Sequence, residues 1–169
     1  MTISKLATFL LASAAGSCIL LALAAPASAQ LLARKDISAS IAVTIAQTAI
    51  DTCKTNGYAV SATIVGRNGE IIAQVRGDNT GPHTTENSFK KAFTSRTFRI
   101  ASGEMEERLK KNPQMGAQYL TGFTTARGAL PIKVGDDTIG AAGVSGAPGG
   151  EKDEACVLAA LDKVKEMLK

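Results

Sequence analysis

From residue 36 onward the apolar positions switch between two spacings, and the switches mark the elements. Ile37, Ile41, Ile45, Ala49 and Cys53 recur every four residues, the spacing of one helix face. Asp36 precedes them as an N-cap, and Gly57 follows as a stop. Tyr58 to Val65 is a β-branched, apolar run that predicts a strand. Asn68-Gly69 then predicts a type I′ turn, with Ile71 to Val75 returning as the partner strand. Gly77 to Thr84 reads as a loop punctuated by Gly81-Pro82. Thr84 or Thr85 is placed to cap a second helix, whose expected buried stripe is Phe89, Ala92, Phe93, Thr97 and Ile100. A charged helix over Glu104 to Lys111 ends near Pro113. One short strand is expected around Leu120 to Thr125. A second hairpin follows from Pro131 to Val144, turning at Asp136-Asp137. The last helix is expected from Glu151 to Leu168, with Leu158, Leu161, Val164 and Leu168 inward. Helix, hairpin, helices, hairpin, helix is an α+β order.

The first 29 residues follow a different pattern. Lys5 is followed by an almost unbroken apolar run from Leu6 to Ala25, then Ala27-Ser28-Ala29. A positive start, an apolar stretch and an A-x-A site predict a secretory signal peptide over 1–29, with Gln30 as the mature N-terminus. The expected location is therefore periplasmic or secreted. The remainder, about 140 residues over 30–169, is one domain's worth of chain. No later apolar run reaches the ~18 residues of a membrane span.

Composition narrows the partners. The net charge is +4, mixed in sign along the chain, with no tryptophan, two tyrosines and five phenylalanines. Dense basic patches and base-stacking platforms are both missing, so nucleic acid is not an expected partner. The slight positive excess suits a small anionic ligand. Cys53 and Cys156 both fall on or near the apolar side of expected helices. Two small buried hydrophobes is the favoured reading, and a disulfide, which export would permit, is the alternative.

Gly140 to Cys156 reads GAAGVSGAPGGEKDEAC: a buried strand, a glycine-rich turn and a helix start in one run. Arg76 to Ser95 reads RGDNTGPHTTENSFKKAFTS, and Gly128 to Gly146 forms the hairpin GALPIKVGDDTIGAAGVSG. In these three ordered blocks the chain resembles the GlcG/HbpS family, the haem-degrading domain family, from about Asp36 to Leu168. The resemblance implies a profilin-like fold with a five-stranded antiparallel sheet and helices packed against it. It also implies haem as the cofactor and a homo-oligomer as the assembly.

Several residues are candidates for the ligand. His83 is the chain's sole histidine and sits in the Gly-Pro loop, which matches a family segment. A neutral imidazole is a common ligand to haem iron, which makes His83 the expected metal-binding residue. Tyr58 and Tyr119 are weaker candidates for the same role. Lys91 and Arg96, on the following helix, could pair with haem propionates, with Thr84 beside them. Ser145, Gly146, Gly149 and Gly150 border a turn at a helix N-terminus, where backbone N–H groups can hold an anion. That turn lacks the G-K-[ST] ending of a P-loop, and Gly143-Val144-Ser145 lacks the second glycine of a nucleophile elbow. A single histidine and two separated cysteines offer no zinc spacing.

The sequence thus favours an exported haem-binding protein without catalysis. The first alternative is a binding module for another small anion, such as a glycolate-related acid. The second is a haem-degrading enzyme, which requires a reductant and O₂ chemistry at the iron.

Overall fold

A four-stranded antiparallel sheet separates two helical layers of opposite character. The computed structural model describes residues 30–169, of which Arg34–Lys169 form one contact unit. The expected signal peptide, 1–29, lies outside the described residues. Strands β1 (Ser61–Val65), β2 (Ile71–Arg76), β3 (Ala129–Val134) and β4 (Asp137–Ser145) pair in the order β2-β1-β4-β3. Helices α1 (Ala39–Thr55) and α4 (Gly150–Val164) cover one face, and α2 (Thr84–Phe98) covers the other. Helix α3 (Ser102–Lys111) follows α2. No helix among the described residues is long and apolar enough to cross a membrane.

The two central strands are buried on both faces, which explains their continuous apolar runs. Ala62 and Ile64 of β1, paired with Val144 and Ala142 of β4, join the main core with Ile45, Ala49, Val157 and Val164. The alternate residues Ser61, Thr63, Ala141, Gly143 and Ser145 point instead toward α2. There the contact is a seam of hydroxyls. Thr63 and Ser88 lie 2.7 Å apart through their side-chain oxygens, and Ser61 and Thr84 2.8 Å apart. Every pair removes two polar groups from water while keeping both hydrogen-bonded, so their burial is tolerated. Gly143 permits this closeness: a Cβ there would stand 2.4 Å from the Ser88 carbonyl oxygen and 2.7 Å from the Ala92 nitrogen.

Several expectations are corrected by this packing. The sheet has four strands, not five, because 114–127 carries a short 3₁₀ turn at Gly116–Tyr119 and no strand. Helix α2 buries the expected Ala92 but also Thr84, Ser88, Lys91 and Ser95, while Phe89 and Phe93 are half-buried and Thr97 is exposed. An apolar stripe misleads where satisfied hydroxyls form the contact. Neither Thr84 nor Thr85 caps the helix: His83 holds the cap position, and the Thr84 hydroxyl donates to the Gly81 carbonyl at 2.8 Å. Ser38 caps α1 in place of Asp36, its Oγ accepting from the Ile41 N–H. The β1–β2 turn is not type I′, because among its residues only Gly69 has a positive φ (83°). Regular α4 ends at Val164, and Leu158 lies exposed on its outer side.

Cys53 and Cys156 are joined in a disulfide that ties α1 to α4 across 103 residues, with Cα atoms 5.6 Å apart. The reading of two free hydrophobes is thereby corrected. The long loop matters because a cross-link removes more freedom from the unfolded chain as the loop grows. Reduction should therefore lower stability by roughly 4–5 kcal/mol. Urea unfolding with and without reductant measures this; coincident midpoints would contradict it.

Candidate functional site

At one end of the sheet four chain segments begin or end together. Strand β4 stops at Ser145, β3 starts at Ala129, α4 starts at Gly150 and α2 starts at Thr84. They enclose an open cleft of about 560 Å³, lined among others by His83, Asn87, Arg127, Ser145, Ala147 and Gly150, with Glu106 contributed by α3. That volume lies within the usual range for small-molecule sites, about 300–1,000 Å³.

The floor of the cleft is held by a buried ion pair. Lys91 Nζ donates to Asp153 Oδ2 at 2.7 Å and to the Val144 carbonyl at 3.0 Å. Both side chains are less than 5% exposed, 4% for the lysine and 3% for the aspartate. Asp153 Oδ1 accepts from the Ala147 N–H at 3.0 Å. Burial pushes the Asp153 carboxyl above the ordinary aspartate range, while the Lys91 ammonium and the Ala147 and Gly146 N–H groups pull it back. Gly128 makes room for the pair. Its φ is +130°, and a Cβ there would lie 2.7 Å from Asp153 Cβ and 2.8 Å from Lys91 Nζ.

This arrangement settles where the sequence candidates stand. His83 is exposed at the cleft, its ring folded back over Gly81, where a Cβ would stand 2.8 Å from Cε1. Neither ring nitrogen has a hydrogen-bond partner among the described residues. Ser145 lines the cleft, its Oγ accepting from Asn87 Nδ2 at 3.0 Å. Gly146 and Gly150 line it too, while Gly149 (φ +133°) turns the chain into α4. The expected anion site at this turn is already filled from within, because Asp153 takes the Ala147 N–H. Lys91 is committed to Asp153 and Val144, and Thr84 is buried against Ser61 and Gly81. Arg96 is thirteen residues beyond His83 in sequence, about 20 Å along the helix axis, and does not line the cleft. Tyr119 is exposed on the 3₁₀ turn, and the Tyr58 ring lies under Lys152 Nζ.

Sequence reasoning missed Arg127, Asn87 and Glu106. Arg127 holds Glu154 with two hydrogen bonds of 3.1 and 3.0 Å, through Nε and Nη2, leaving Nη1 toward other acceptors. Asn87 and Glu106 belong to helices whose rotation follows from tertiary contacts, and Arg127 lies just past the stretch where a short strand, around Leu120 to Thr125, was expected. The one available signal was spacing: His83, Asn87 and Lys91 recur at four-residue steps along one helix face.

The family model described as "Haem degrading protein HbpS-like" matches residues 37–162. The chain belongs to the HbpS-like family. No curated protein matches it. The HbpS-like chain is similar to the crystal structure of HbpS at 27% identity, over 80% of this chain and 94% of that one, with a TM-score of 0.76. It is similar to a double mutant of Streptomyces reticuli HbpS at 28% identity, over 83% and 97%, again with a TM-score of 0.76. It also shares its fold with PduOC, solved in complex with haem, at 19% identity over 75% of this chain and 93% of that one, TM-score 0.68.

The ion pair at the cleft floor carries a stability prediction. Removing one partner leaves a buried charge uncompensated, whereas replacing both can be nearly neutral. Lys91→Met should cost about 3–5 kcal/mol. Adding Asp153→Leu to it should restore most of that loss. A double-mutant cycle by urea unfolding reads both values; additive losses would contradict the coupling.

Proposed function

We propose that this chain is an exported haem-binding protein whose site is the cleft at the N-terminus of α2. The observation that carries the reading is the position of the chain's sole histidine. His83 is exposed at the cleft, unengaged by any described residue, in a member of the HbpS-like family. The residues present fit the group. Imidazole is a ligand to haem iron, and the free Nη1 of Arg127 suits a propionate. Ala126, Gly146, Ala147 and Gly150 keep part of the wall free of long side chains, so that a flat ring can approach the backbone. PduOC, which has this fold, is solved with haem.

Each residue then has a distinct task. His83 would hold the iron through one ring nitrogen, its ring oriented by the contact with Gly81. Arg127, braced by Glu154, would orient a carboxylate at the rim. Asn87 and Ser145 form a polar ledge between them. Bound haem supplies redox chemistry at the iron; the chain supplies position and shelter from water. Lys91 and Asp153 act one layer beneath, fixing the turn at Gly146 and Ala147.

The charge of the cleft weighs against the small-anion alternative. Glu106 and Glu151 line it, and Lys91 is neutralised internally by Asp153. A small acid would meet as much repulsion as attraction there. Homo-oligomer formation belongs to the same reading, supported by the family resemblance and by exposed Val43 and Leu158 on α1 and α4.

Titration of the mature protein with hemin should produce a Soret band. His83→Ala should shift its maximum and weaken binding, while Arg127→Gln should weaken binding and leave the maximum in place. A wild-type spectrum and affinity in His83→Ala would remove His83 from the iron. Loss of the band on adding reductant and oxygen would favour haem degradation over retention.

Export is supported by the Ala27-Ser28-Ala29 site and by a disulfide suited to an oxidising compartment. Protein recovered outside the cytoplasm should begin at Gln30 by mass analysis. Recovery with Met1 intact would refute cleavage.

A further inference from the structure

Arg96 is left without a task by the geometry of the cleft, and its own surroundings are unusual. It lies in the last turn of α2, and Arg99 follows at the helix end. Its Nε is buried and makes no hydrogen bond, the one such side-chain atom among the described residues. Neither the Arg96 nor the Arg99 side chain forms a hydrogen bond or ion pair with any described residue. Burying a guanidinium donor without an acceptor is costly. The charge of Arg99, three residues on, adds repulsion to that cost.

The neighbouring carboxylates offset it only in part. Arg67, on the β1–β2 turn, also faces this cluster, as do Asp137 at the start of β4 and Glu70. Asp137 is already held by Arg67 through two hydrogen bonds of 3.0 and 2.7 Å. Glu70 is occupied by the Asn68 N–H at 2.9 Å. Three guanidiniums thus share one committed carboxylate and one engaged in its own turn. Burial and the charges of Arg99 and Arg67 hold Arg96 below the ordinary arginine range. The C-terminal end of α2 offsets part of this positive charge, but a helix dipole supplies no hydrogen-bond acceptor for the side chains.

Arg99 adds an independent observation. It sits in the left-handed region, φ 60° and ψ 30°, at a helix end where glycine is the common choice. A long charged residue is kept in a conformation that disfavours it, and strain of this kind collects where a side chain serves a ligand.

We propose that Arg96 and Arg99 form a second site, separate from the His83 cleft, that binds a small multivalent oxyanion of the phosphate class. Guanidinium groups match such oxyanions in planar, two-pronged geometry. An anion here supplies acceptors to the accessible Nη groups, which no described residue engages, and a small shift of the Arg96 side chain brings the buried Nε to it as well. The site is independent of the haem reading and stands or falls separately.

Inorganic phosphate is the probe, with sodium chloride at matched ionic strength as the control. Phosphate should raise the melting temperature of the wild-type protein saturably and beyond the chloride control. Arg99→Gly removes a charge and relieves the left-handed backbone, so it should melt at or above wild type in chloride. It should lose the phosphate response, with affinity falling about tenfold or more, the scale of one charge-assisted hydrogen bond. Arg96→Gln should lose the response as well. A phosphate effect no greater than that of chloride, or an equal effect in Arg99→Gly, overturns the site. Saturating phosphate should leave hemin titration unchanged; competition with hemin would place the anion in the cleft and overturn the separation of the two sites.

Discussion

The buried pair of Lys91 and Asp153 is the contact on which this architecture turns. It joins the middle of α2 to the end of β4 and the first turn of α4, three elements far apart in sequence. Each charge has its partner and a backbone group besides: the Val144 carbonyl for the lysine, the Ala147 N–H for the aspartate. A buried pair with such satisfaction adds little net stability over an apolar substitute, but it forbids alternatives. If α2 slid by one turn, both charges would be stranded. The pair therefore sets the register of the helix on the sheet, and with it the placement of His83 and Asn87 two turns and one turn earlier.

Around that contact the two faces of the sheet work differently. The face under α1 and α4 is a conventional apolar core, closed by the Cys53–Cys156 bridge. The face under α2 is tight and polar, built from paired hydroxyls and from glycines that admit backbone. Apolar packing is indifferent to small slips, whereas hydroxyl pairs and close backbone contacts are directional. The cleft lined by His83, Asn87 and Ser145 lies at the end of the directional face.

The same geometry separates chemistry that proximity in sequence had joined. His83 and Arg96 lie on one helix, yet they serve opposite ends of it. The cleft at the N-terminal end recruits Arg127 from a loop and Glu106 from α3. The cationic cluster at the other end recruits Arg67 and Asp137 from two hairpins. The expected anion-binding turn at Gly146–Gly150 is satisfied by Asp153 in cis, a carboxylate five residues or fewer from each of its glycines except Gly146.

Much of the architecture was legible in the chain because it depends on local rules. Helical spacing marked α1 and α4, a β-branched run marked β1, the Asp136-Asp137 turn marked the β3–β4 hairpin, and Gly57 ended α1 with φ 82°. His83 stood out because it is unique and sits in a loop before a helix. The family was legible in three ordered blocks. What the chain alone did not determine was rotation and partnership. The face of α2 that turns inward is decided by Thr63 and Gly143, residues 25 and 51 positions away from Ser88 and Ala92 respectively in β1 and β4. The fifth strand was expected where a loop instead wraps the end of α2, with Thr124 N–H donating to Thr94 Oγ1. The disulfide needed two Cα atoms brought within bonding reach across 103 residues. Local sequence sets which conformations are cheap, but which of two amphipathic faces is buried, and which charge meets which, depends on groups that only folding brings together.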